Sequence, residues 1–173
     1  MKLTLKLIAA GLCAVILAAC GSAANPNPIP GPVIDATTQP PAYSQTDDVV
    51  GTGAVAANGD IVTVTYTLWI YSTTAANHEG KLIQTNVGGT LLNFVVGAGQ
   101  VIPGFDQGIV GMAAGGSRTL VLPYSLGYGP NPVYQTDSAG AVVKDSSGNS
   151  VVSIPAYSGL IYSVQLLYLS KAQ

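Results

Sequence analysis

The segment Val96–Met112, VGAGQVIPGFDQGIVGM, constrains the fold of this chain most strongly because it carries one clear helix signal. Phe105, Ile109 and Met112 stand at positions i, i+4 and i+7, which places them on one stripe of a short amphipathic helix. Pro103 suits the first turn of that helix, since its fixed φ matches the helical value and no hydrogen bond is lost there. One helix in a chain otherwise rich in strand patterns predicts a sheet that wraps around it.

Five other stretches have the composition of β-strands. In the longest, apolar side chains from Val62 to Ile70 alternate with Thr and Trp residues, so every second side chain faces the same side of a sheet. With the helix, these stretches predict an α+β domain, in which a curved antiparallel sheet packs around the helix. The predicted strands are Ile61–Tyr71, Lys81–Asn86, Leu91–Val96, Arg118–Pro123 and Leu160–Leu169.

Residues Met1–Cys20 have the organisation of a signal peptide. Lys2 and Lys6 provide the positive start, and Leu7–Ala19 provides an apolar stretch that is too short for a convincing transmembrane span. An ordinary secretory signal that is cleaved nearby is one interpretation of this segment.

The end of the segment favours a second interpretation. Its last four residues, LAAC, resemble a bacterial lipobox, which predicts cleavage before Cys20 and acylation of that cysteine. Two or three acyl chains are enough for stable membrane attachment. In a Gram-negative cell, Gly21 and Ser22 favour an anchor in the outer membrane facing the periplasm, because neither is the Asp that favours inner-membrane retention. We therefore expect a lipid-anchored protein of the bacterial cell envelope.

Processing at this position limits the chemistry of the mature chain. Cys13 would leave with the signal and Cys20 would be acylated, so no thiol remains for a disulfide, a nucleophile or a metal site. Removing Lys2 and Lys6 from the six basic residues leaves four against eight acidic ones, a net charge of about −4. Such a chain has no basic surface for nucleic acid.

Residues 21–42 differ in composition from the rest, with six prolines among Asn, Ala and Gly. Proline cannot continue a helix or a central strand, so this stretch is predicted to be a semi-extended linker between the membrane and the domain. A proline-rich partner motif is the alternative. Residues 43–173 are predicted to form a single domain.

Residues 130–153 have the pattern of an insertion within that domain. Asp137-Ser138-Ala139-Gly140 is followed by a pair of valines, and Asp145-Ser146-Ser147-Gly148 is followed by another pair. Apolar pairs separated by a Ser/Gly turn predict an exposed hairpin.

The order and spacing of five motifs resemble the FKBP-type peptidyl-prolyl cis-trans isomerases. The resemblance covers nearly all of the domain apart from the insertion, and it is the ordered set that is specific, since a lone VIPGF would be weak. The motifs are VVGTGA (Val49–Ala54), NGDIVTVTYTLW (Asn58–Trp69), FVVGAGQVIPGFDQGIVGM (Phe94–Met112), GGSRTLVLPYSLGYG (Gly115–Gly129) and IPAYSGLIYSVQLL (Ile154–Leu167).

This resemblance implies an antiparallel sheet of about five strands wrapped around one short helix, with an inserted hairpin after Tyr128. It also implies an apolar pocket with Phe105, commonly Trp in the family, as its floor. The Ile102 backbone N–H and the Tyr128 hydroxyl would hold substrate carbonyls, with Tyr66 as a further catalytic residue. The substrate-binding wall would consist of Ile83, Gln84, Phe94, Val101, Ile154 and Tyr162.

The implied reaction suits these residue types. Rotation about a peptide bond faces a barrier of about 18–20 kcal/mol because twisting destroys amide resonance, and X–Pro rotation is likewise slow. A twisted amide has a less polar carbonyl, so a dry aromatic pocket favours it over the planar ground state. No nucleophile, metal or cofactor is required. His78, the only histidine, is expected to be a solvated loop residue.

Two further residues depart from the family pattern. Ile83-Gln84 stands where the family usually has Phe-Asp, and that Asp accepts a hydrogen bond from the tyrosine equivalent to Tyr66. Gln84 could still accept through its amide oxygen but carries no charge. This departure predicts reduced or altered isomerase activity, and it also bears on macrolide inhibitors, which the resemblance implies as further ligands.

Three functions remain open from the sequence. The first is an isomerase acting on X–Pro bonds of exported polypeptides, because slow isomerisation of these bonds delays folding. The second is a proline-peptide-binding or chaperone-like module with little turnover, and the third is a structural lipoprotein in which the same residues are only core. No oligomerisation segment is recognisable, so a monomer is expected.

Overall fold

The computed structural model of the protein describes residues 34–40 and 42–172. The predicted signal peptide, the lipidation of Cys20 and most of the predicted linker lie outside the described residues. Within the described part of the chain, no helix is long and apolar enough to cross a membrane.

The described chain contains eight strands and one α-helix. Each predicted strand is present with its ends within two residues of the predicted positions. The elements are β1 (Ser44–Val49), β2 (Ile61–Tyr71), β3 (Glu79–Thr85), β4 (Leu92–Val95), α1 (Pro103–Ile109), β5 (Ser117–Leu122), β6 (Val133–Tyr134), β7 (Val152–Ile154) and β8 (Leu160–Ser170).

Six of the strands form one antiparallel sheet in the order β1-β5-β8-β2-β3, with β4 also paired to β2. Strand β2 is central. One edge of it pairs with β8 along almost its whole length, whereas the other edge pairs first with β4 and then with β3. The predicted α+β architecture is confirmed, with one strand more than the five predicted.

The additional strand is β1, which pairs with β5 at the edge of the sheet. Its sequence, SQTDDV, has no apolar alternation, and all six residues are exposed. Since nothing in this strand is buried, hydrophobic periodicity could not reveal it.

The core lies between the concave face of the sheet and helix α1. The predicted inward residues of β2 from Val62 to Ile70 are buried apart from Tyr66, which is half-buried. Those of β5 and β8 are buried as well. Phe105 and Ile109 of the helix are buried against them, as is Met112 just beyond its end.

Two glycines allow helix α1 to lie very close to β5. A Cβ atom placed on Gly104 would be 2.5 Å from Cδ2 of Leu122, and one on Gly108 would be 2.6 Å from Cδ1 of Leu120. Carbon atoms in contact are normally 3.5–4.0 Å apart. Because Leu120 and Leu122 are completely buried, only glycine fits at either helix position without displacing the core.

Arg118 holds the end of the helix from β5. Its Nη1 donates to the carbonyl oxygens of Gly108 (2.8 Å) and Val110 (3.1 Å), and its Nε lies 2.6 Å from Oδ1 of Asp47 on β1. The guanidinium hydrogen bond holds the pKa of Asp47 below its usual value. A cation at the last helical carbonyls also complements the helix dipole, so this one buried side chain joins α1, β1 and β5.

The insertion forms two turns of the same geometry. In each turn one aspartate Oδ1 accepts two backbone N–H groups, from Ala139 and Ala141 for Asp137 and from Ser147 and Asn149 for Asp145. The short strands β6 and β7 pair at its base. The inserted hairpin predicted after Tyr128 is therefore present, with a second hairpin turn inside it.

We expect Gly108→Ala to lower the free energy of unfolding by about 1–2 kcal/mol. The gain in helix propensity of about 1 kcal/mol is smaller than the cost of overpacking Leu120, which is typically about 1–3 kcal/mol. Urea unfolding followed by circular dichroism measures the difference. The control is Gln107→Ala at the adjacent exposed helix position, for which a change within about 0.5 kcal/mol is expected. A Gly108→Ala protein as stable as the wild type would contradict the close packing described here.

Candidate functional site

The first site candidate is a cavity of about 460 Å³ between the helix, the sheet and two loops. Six of the ten residues proposed from the sequence line it, together with three others. The lining residues are Tyr66, Leu92, Gly99, Gln100, Val101, Ile102, Phe105, Tyr128 and Tyr162.

Aromatic rings form the inner end of the cavity. The Phe105 ring contacts Tyr162 edge-on at a centroid distance of 4.9 Å and Tyr66 at 5.8 Å, and the Tyr66 and Tyr162 rings are also 5.8 Å apart. Phe94 supports Phe105 from the core at 5.8 Å. Edge-to-face packing at these distances fixes the ring orientations, so the floor is a rigid apolar surface.

Tyr66 lies where the sheet divides. Its neighbour on one side changes there from β4 to β3, and the Asn86 side chain bridges the gap: Oδ1 accepts the Tyr66 N–H at 2.6 Å, and Nδ2 donates to the carbonyls of Val64 (3.3 Å) and Thr90 (3.2 Å). The Asn86 N–H completes the set by donating to the Tyr66 carbonyl at 3.1 Å. Asn86 thus fixes the backbone from which the Tyr66 ring reaches the pocket.

The loop between β4 and α1 forms the rim and is held by two side chains. Gln100 Oε1 accepts the Val95 N–H at 2.8 Å. The Asp106 carboxylate, which is buried, accepts the N–H groups of Gly97 (2.7 Å) and Gly99 (3.1 Å). Both glycines have positive φ, 79° and 66°. Asp106 therefore fixes the loop that leads into Val101 and Ile102.

Two hydrogen-bond donors are available at the mouth of the cavity. The Ile102 N–H makes no hydrogen bond to any described residue, although its carbonyl accepts the Phe105 and Asp106 N–H groups at the start of the helix. The Tyr128 hydroxyl is carried by a residue that lines the cavity and is 38% exposed. Both groups could therefore hold a ligand carbonyl.

Two phenols of the cavity, those of Tyr162 and Tyr66, remain protonated. Burial raises the pKa of the Tyr162 hydroxyl far above its usual range, and the nearby Tyr128 hydroxyl adds to the effect. Burial also raises the pKa of Tyr66, again with a contribution from Tyr128. A phenol already titrates near pH 10, so these groups are neutral donors at any physiological pH.

Within the described residues, no acidic or basic side chain lines this cavity, and no three His, Cys, Asp or Glu side chains come together as metal ligands would. His78 lies elsewhere, stacked on Tyr71 at a centroid distance of 5.0 Å with Nδ1 3.1 Å from the Ser72 carbonyl. The lining offers hydrogen bonds and apolar surface to a ligand.

Four of the residues proposed from the sequence do not line the cavity. Phe94 and Ile154 are buried behind it, Ile83 is half-buried against the core, and Gln84 is exposed. Gln84 makes no hydrogen bond to Tyr66 among the described contacts, and it pairs with Leu68 in the β2–β3 register. Strand β3 therefore contributes no residue to the cavity lining, although the sequence had suggested a hydrogen bond between Tyr66 and Gln84 there.

Three lining residues were not proposed from the sequence. Gly99 and Gln100 precede the proposed Val101-Ile102 pair, and their position in the rim motif was the signal that could have identified them. Leu92 belongs to the same inward face of β4 as Phe94, so strand alternation already placed it near the site. None of the residues 130–153 lines the cavity.

Comparison with known sequences and structures agrees with the fold. Residues 53–167 match the FKBP-type peptidyl-prolyl cis-trans isomerase family. The chain is 42% identical over 93 residues to an FK506-binding protein of Streptomyces anulatus, a match that spans 53% of this chain and 70% of that protein. It is 35% identical over 121 residues to FK506-binding protein 4 of Neurospora crassa, spanning 70% of this chain and 21% of that protein.

Solved structures of the same family are similar. The crystal structure of AtFKBP13 matches with a TM-score of 0.55 and 27% identity, over 78% of this chain and 98% of that one. That of FkpA from Escherichia coli matches with a TM-score of 0.53 and 26% identity, over 76% and 49%. The chain spans about a fifth of the length of the fungal relatives it matches.

The chain belongs to the FKBP-type peptidyl-prolyl cis-trans isomerase family, because the family match covers most of its length. The family predicted from the motif order is thereby confirmed, and so is the FKBP-like fold.

We expect Asp106→Asn to loosen the loop that carries Ile102. The amide has one acceptor oxygen, so either the Gly97 or the Gly99 N–H loses its partner, at a cost of about 1–3 kcal/mol. Amide hydrogen exchange of Gly97 and Gly99, measured by NMR, should accelerate. Asp137→Asn is the control, since Asp137 uses only Oδ1 for its two hydrogen bonds. Equal protection of both glycines in the wild type and in Asp106→Asn would contradict this role.

Proposed function

We propose that this protein is a peptidyl-prolyl cis-trans isomerase that acts on X–Pro bonds in the described cavity. The observation that carries the proposal is that one cavity combines two hydrogen-bond donors, the Ile102 N–H and the Tyr128 hydroxyl, with an aromatic floor formed by Phe105. Membership of the family supports the reaction type.

The floor would act on the ring of the substrate proline. A pyrrolidine ring placed against Phe105, between Tyr66 and Tyr162, would exchange water for apolar contacts and leave the X–Pro amide free to rotate above it. Rotation removes amide resonance and makes the carbonyl less polar. An apolar surface therefore stabilises the twisted amide more than the planar one, and that difference lowers the barrier.

The two donors would act by orientation. The Ile102 N–H would hold a substrate backbone carbonyl at the rim, and the hydroxyl of Tyr128, which also lines the cavity, would hold a second. Holding the flanking backbone in one geometry turns rotation of a free chain into rotation about one fixed bond. No proton is transferred in this mechanism, which fits phenols that stay protonated.

A binding or chaperone-like module with little turnover is the second candidate. The observation that favours it is the β3 wall, where Ile83 and Gln84 replace the Phe-Asp pair of the family and neither lines the cavity. Such a pocket would still accept a proline but would surround the rotating bond on one side less completely. Affinity for proline peptides would then persist while the rate enhancement falls.

We further propose that the clients are exported polypeptides and that the protein is a monomer anchored by lipid at Cys20. The LAAC end of the predicted signal peptide and the proline-rich composition of residues 21–42 support this placement in the bacterial cell envelope. In a Gram-negative cell the anchor would be in the outer membrane, facing the periplasm. Membership of a family whose relatives are named FK506-binding proteins supports macrolides as further ligands of the same cavity.

A protease-coupled assay with X–Pro peptides tests the proposed reaction. We expect Tyr128→Phe to lower kcat/KM roughly five- to tenfold, because one hydrogen bond of about 1 kcal/mol is lost. Phe105→Leu should lower it further, since the aromatic floor is removed. Tyr134→Phe in the exposed insertion is the control and should leave kcat/KM unchanged. Equal turnover in all four proteins would refute the assignment of the site. An inactive wild type that still binds the peptides would favour the second candidate.

Restoring the wall separates the two candidates further. We expect the double substitution Ile83→Phe and Gln84→Asp to raise kcat/KM several-fold. The Phe ring would extend the apolar wall, and the Asp carboxylate would accept a hydrogen bond from the Tyr66 hydroxyl. Gln84→Asn, which keeps a neutral amide, serves as the control. FK506 binding, followed by calorimetry, should strengthen in parallel. If neither turnover nor FK506 affinity rises, the β3 wall is not what limits this pocket.

A further inference from the structure

The segment before β1 is folded onto the domain. Residues 35–40, here named the strap, begin with Asp35, whose Oδ1 accepts the Thr37 N–H at 2.9 Å and the Thr37 hydroxyl at 2.7 Å. A single turn of 3-10 helix follows over Ala36–Thr38. The strap belongs to residues 21–42, which the composition predicted to be linker, so the folded part begins earlier than residue 43.

The strap packs against the loop that leads into β8. The Gly159 N–H donates to the Thr38 carbonyl at 2.8 Å, and the Gln39 Nε2 donates to the Tyr157 carbonyl. On its other side the Thr37 carbonyl accepts the Thr73 N–H at 2.9 Å. A Cβ on Gly159 would lie 2.6 Å from the Thr38 carbonyl oxygen and would also overlap the Pro40 ring, which is buried. The strap is therefore a fitted part of the fold.

The loop residue that the strap holds has an unusual conformation. Tyr157 has a φ of +60°, in the left-handed region that residues with a side chain rarely adopt. Its carbonyl accepts from Gln39, its N–H donates to the Gly129 carbonyl at 3.0 Å, and its ring packs edge-on against Tyr124 at 5.2 Å. Conformations of this kind persist only where neighbouring groups hold them.

Those contacts lead directly to the pocket tyrosine. Gly129, which receives the Tyr157 hydrogen bond, follows Tyr128 in the chain. The Tyr124 carbonyl accepts the N–H groups of Gly127 and Gly129, both at 3.0 Å, so Tyr128 lies between two anchored glycines. Tyr157 contacts both ends of this frame, through Gly129 and through the Tyr124 ring.

We propose that the strap, through Tyr157, positions Tyr128 at the mouth of the pocket, so that the end of the proline-rich segment is a working part of the site. The strap lines no part of the cavity, so Gln39 and Tyr157 are positioning residues and Tyr128 alone among them would touch substrate. The effect on turnover rests on the proposed isomerase function, whereas the effect on Tyr128 geometry does not.

Full-length variants test the proposal. Gly159→Ala should displace the strap from the loop, whereas Gln39→Ala removes the side-chain hydrogen bond to the Tyr157 carbonyl and a long one to the neighbouring Thr38 hydroxyl. Gly89→Ala is the control, because a Cβ there meets nothing closer than 3.6 Å. NMR of the Tyr128 ring resonances and exchange of the Tyr157 amide provide a readout that needs no activity. Relative to the wild type, we expect both strap variants to show shifted Tyr128 ring resonances and faster exchange of the Tyr157 amide. The Gly89→Ala control should show neither change.

A double-mutant cycle separates positioning from general loss of stability. Gly159→Ala should lower kcat/KM in the wild-type background by up to the roughly five- to tenfold expected for Tyr128→Phe, because it acts by misplacing the same hydroxyl. In a Tyr128→Phe background the same change should have little further effect, because the group that the strap positions is already absent. Equal losses in both backgrounds would overturn the proposal.

The outcomes also distinguish the two proposals. If the wild type shows no turnover but the Tyr128 resonances shift in both strap variants, the positioning role of the strap is supported and the proposed isomerase function is refuted. If the wild type is active but the Tyr128 resonances and kcat/KM are unchanged in Gly159→Ala and Gln39→Ala, the positioning role of the strap is refuted and the isomerase function is supported.

Discussion

The close approach of helix α1 to strand β5 is the constraint on which the pocket depends. Gly104 and Gly108 face Leu122 and Leu120, and any side chain at either glycine would push the helix away from the sheet. Because Phe105 lies on the helix and Ile102 is its N-cap residue, the same displacement would move the pocket floor and the rim donor together. The close backbone packing of α1 on β5 thus fixes the floor and the rim donor of the site relative to the sheet.

Charge contributes to the scaffold and not to the cavity. Asp106 is buried beside the rim, yet both of its oxygens bind backbone N–H groups of the loop. Arg118 is buried beneath the helix and binds its last carbonyls. With the ionised groups engaged in this way, the cavity keeps an uncharged lining, which is the environment that favours a less polar, twisted amide over a planar one.

The sequence predicted those parts of the structure whose residues bury one face. Strands β2 and β8 and the helix stripe were predictable because burial imposes a period of two or of 3.6 residues. Strand β1 was not, since all its side chains are exposed. The role of Asn86 was hidden for another reason: its hydrogen bonds reach β2 residues about twenty positions away, and no local pattern encodes such a partner. The strap escaped prediction because it lies within the proline-rich residues 21–42, whose composition is equally typical of an unattached linker.

The two sides of the pocket differ in how substitution affects stability, and this bears on where activity can change. Phe105 and Tyr162 are buried and packed on each other, so a smaller residue at either position would leave a cavity and destabilise the domain. Ile83 is half-buried against the core and Gln84 is exposed, so we expect substitution there to affect folding less than at Phe105 or Tyr162. A chain of this family can therefore alter its β3 wall, and with it turnover or ligand choice, while the fold and floor stay intact. The departure from the family pattern at Ile83 and Gln84 lies on this wall.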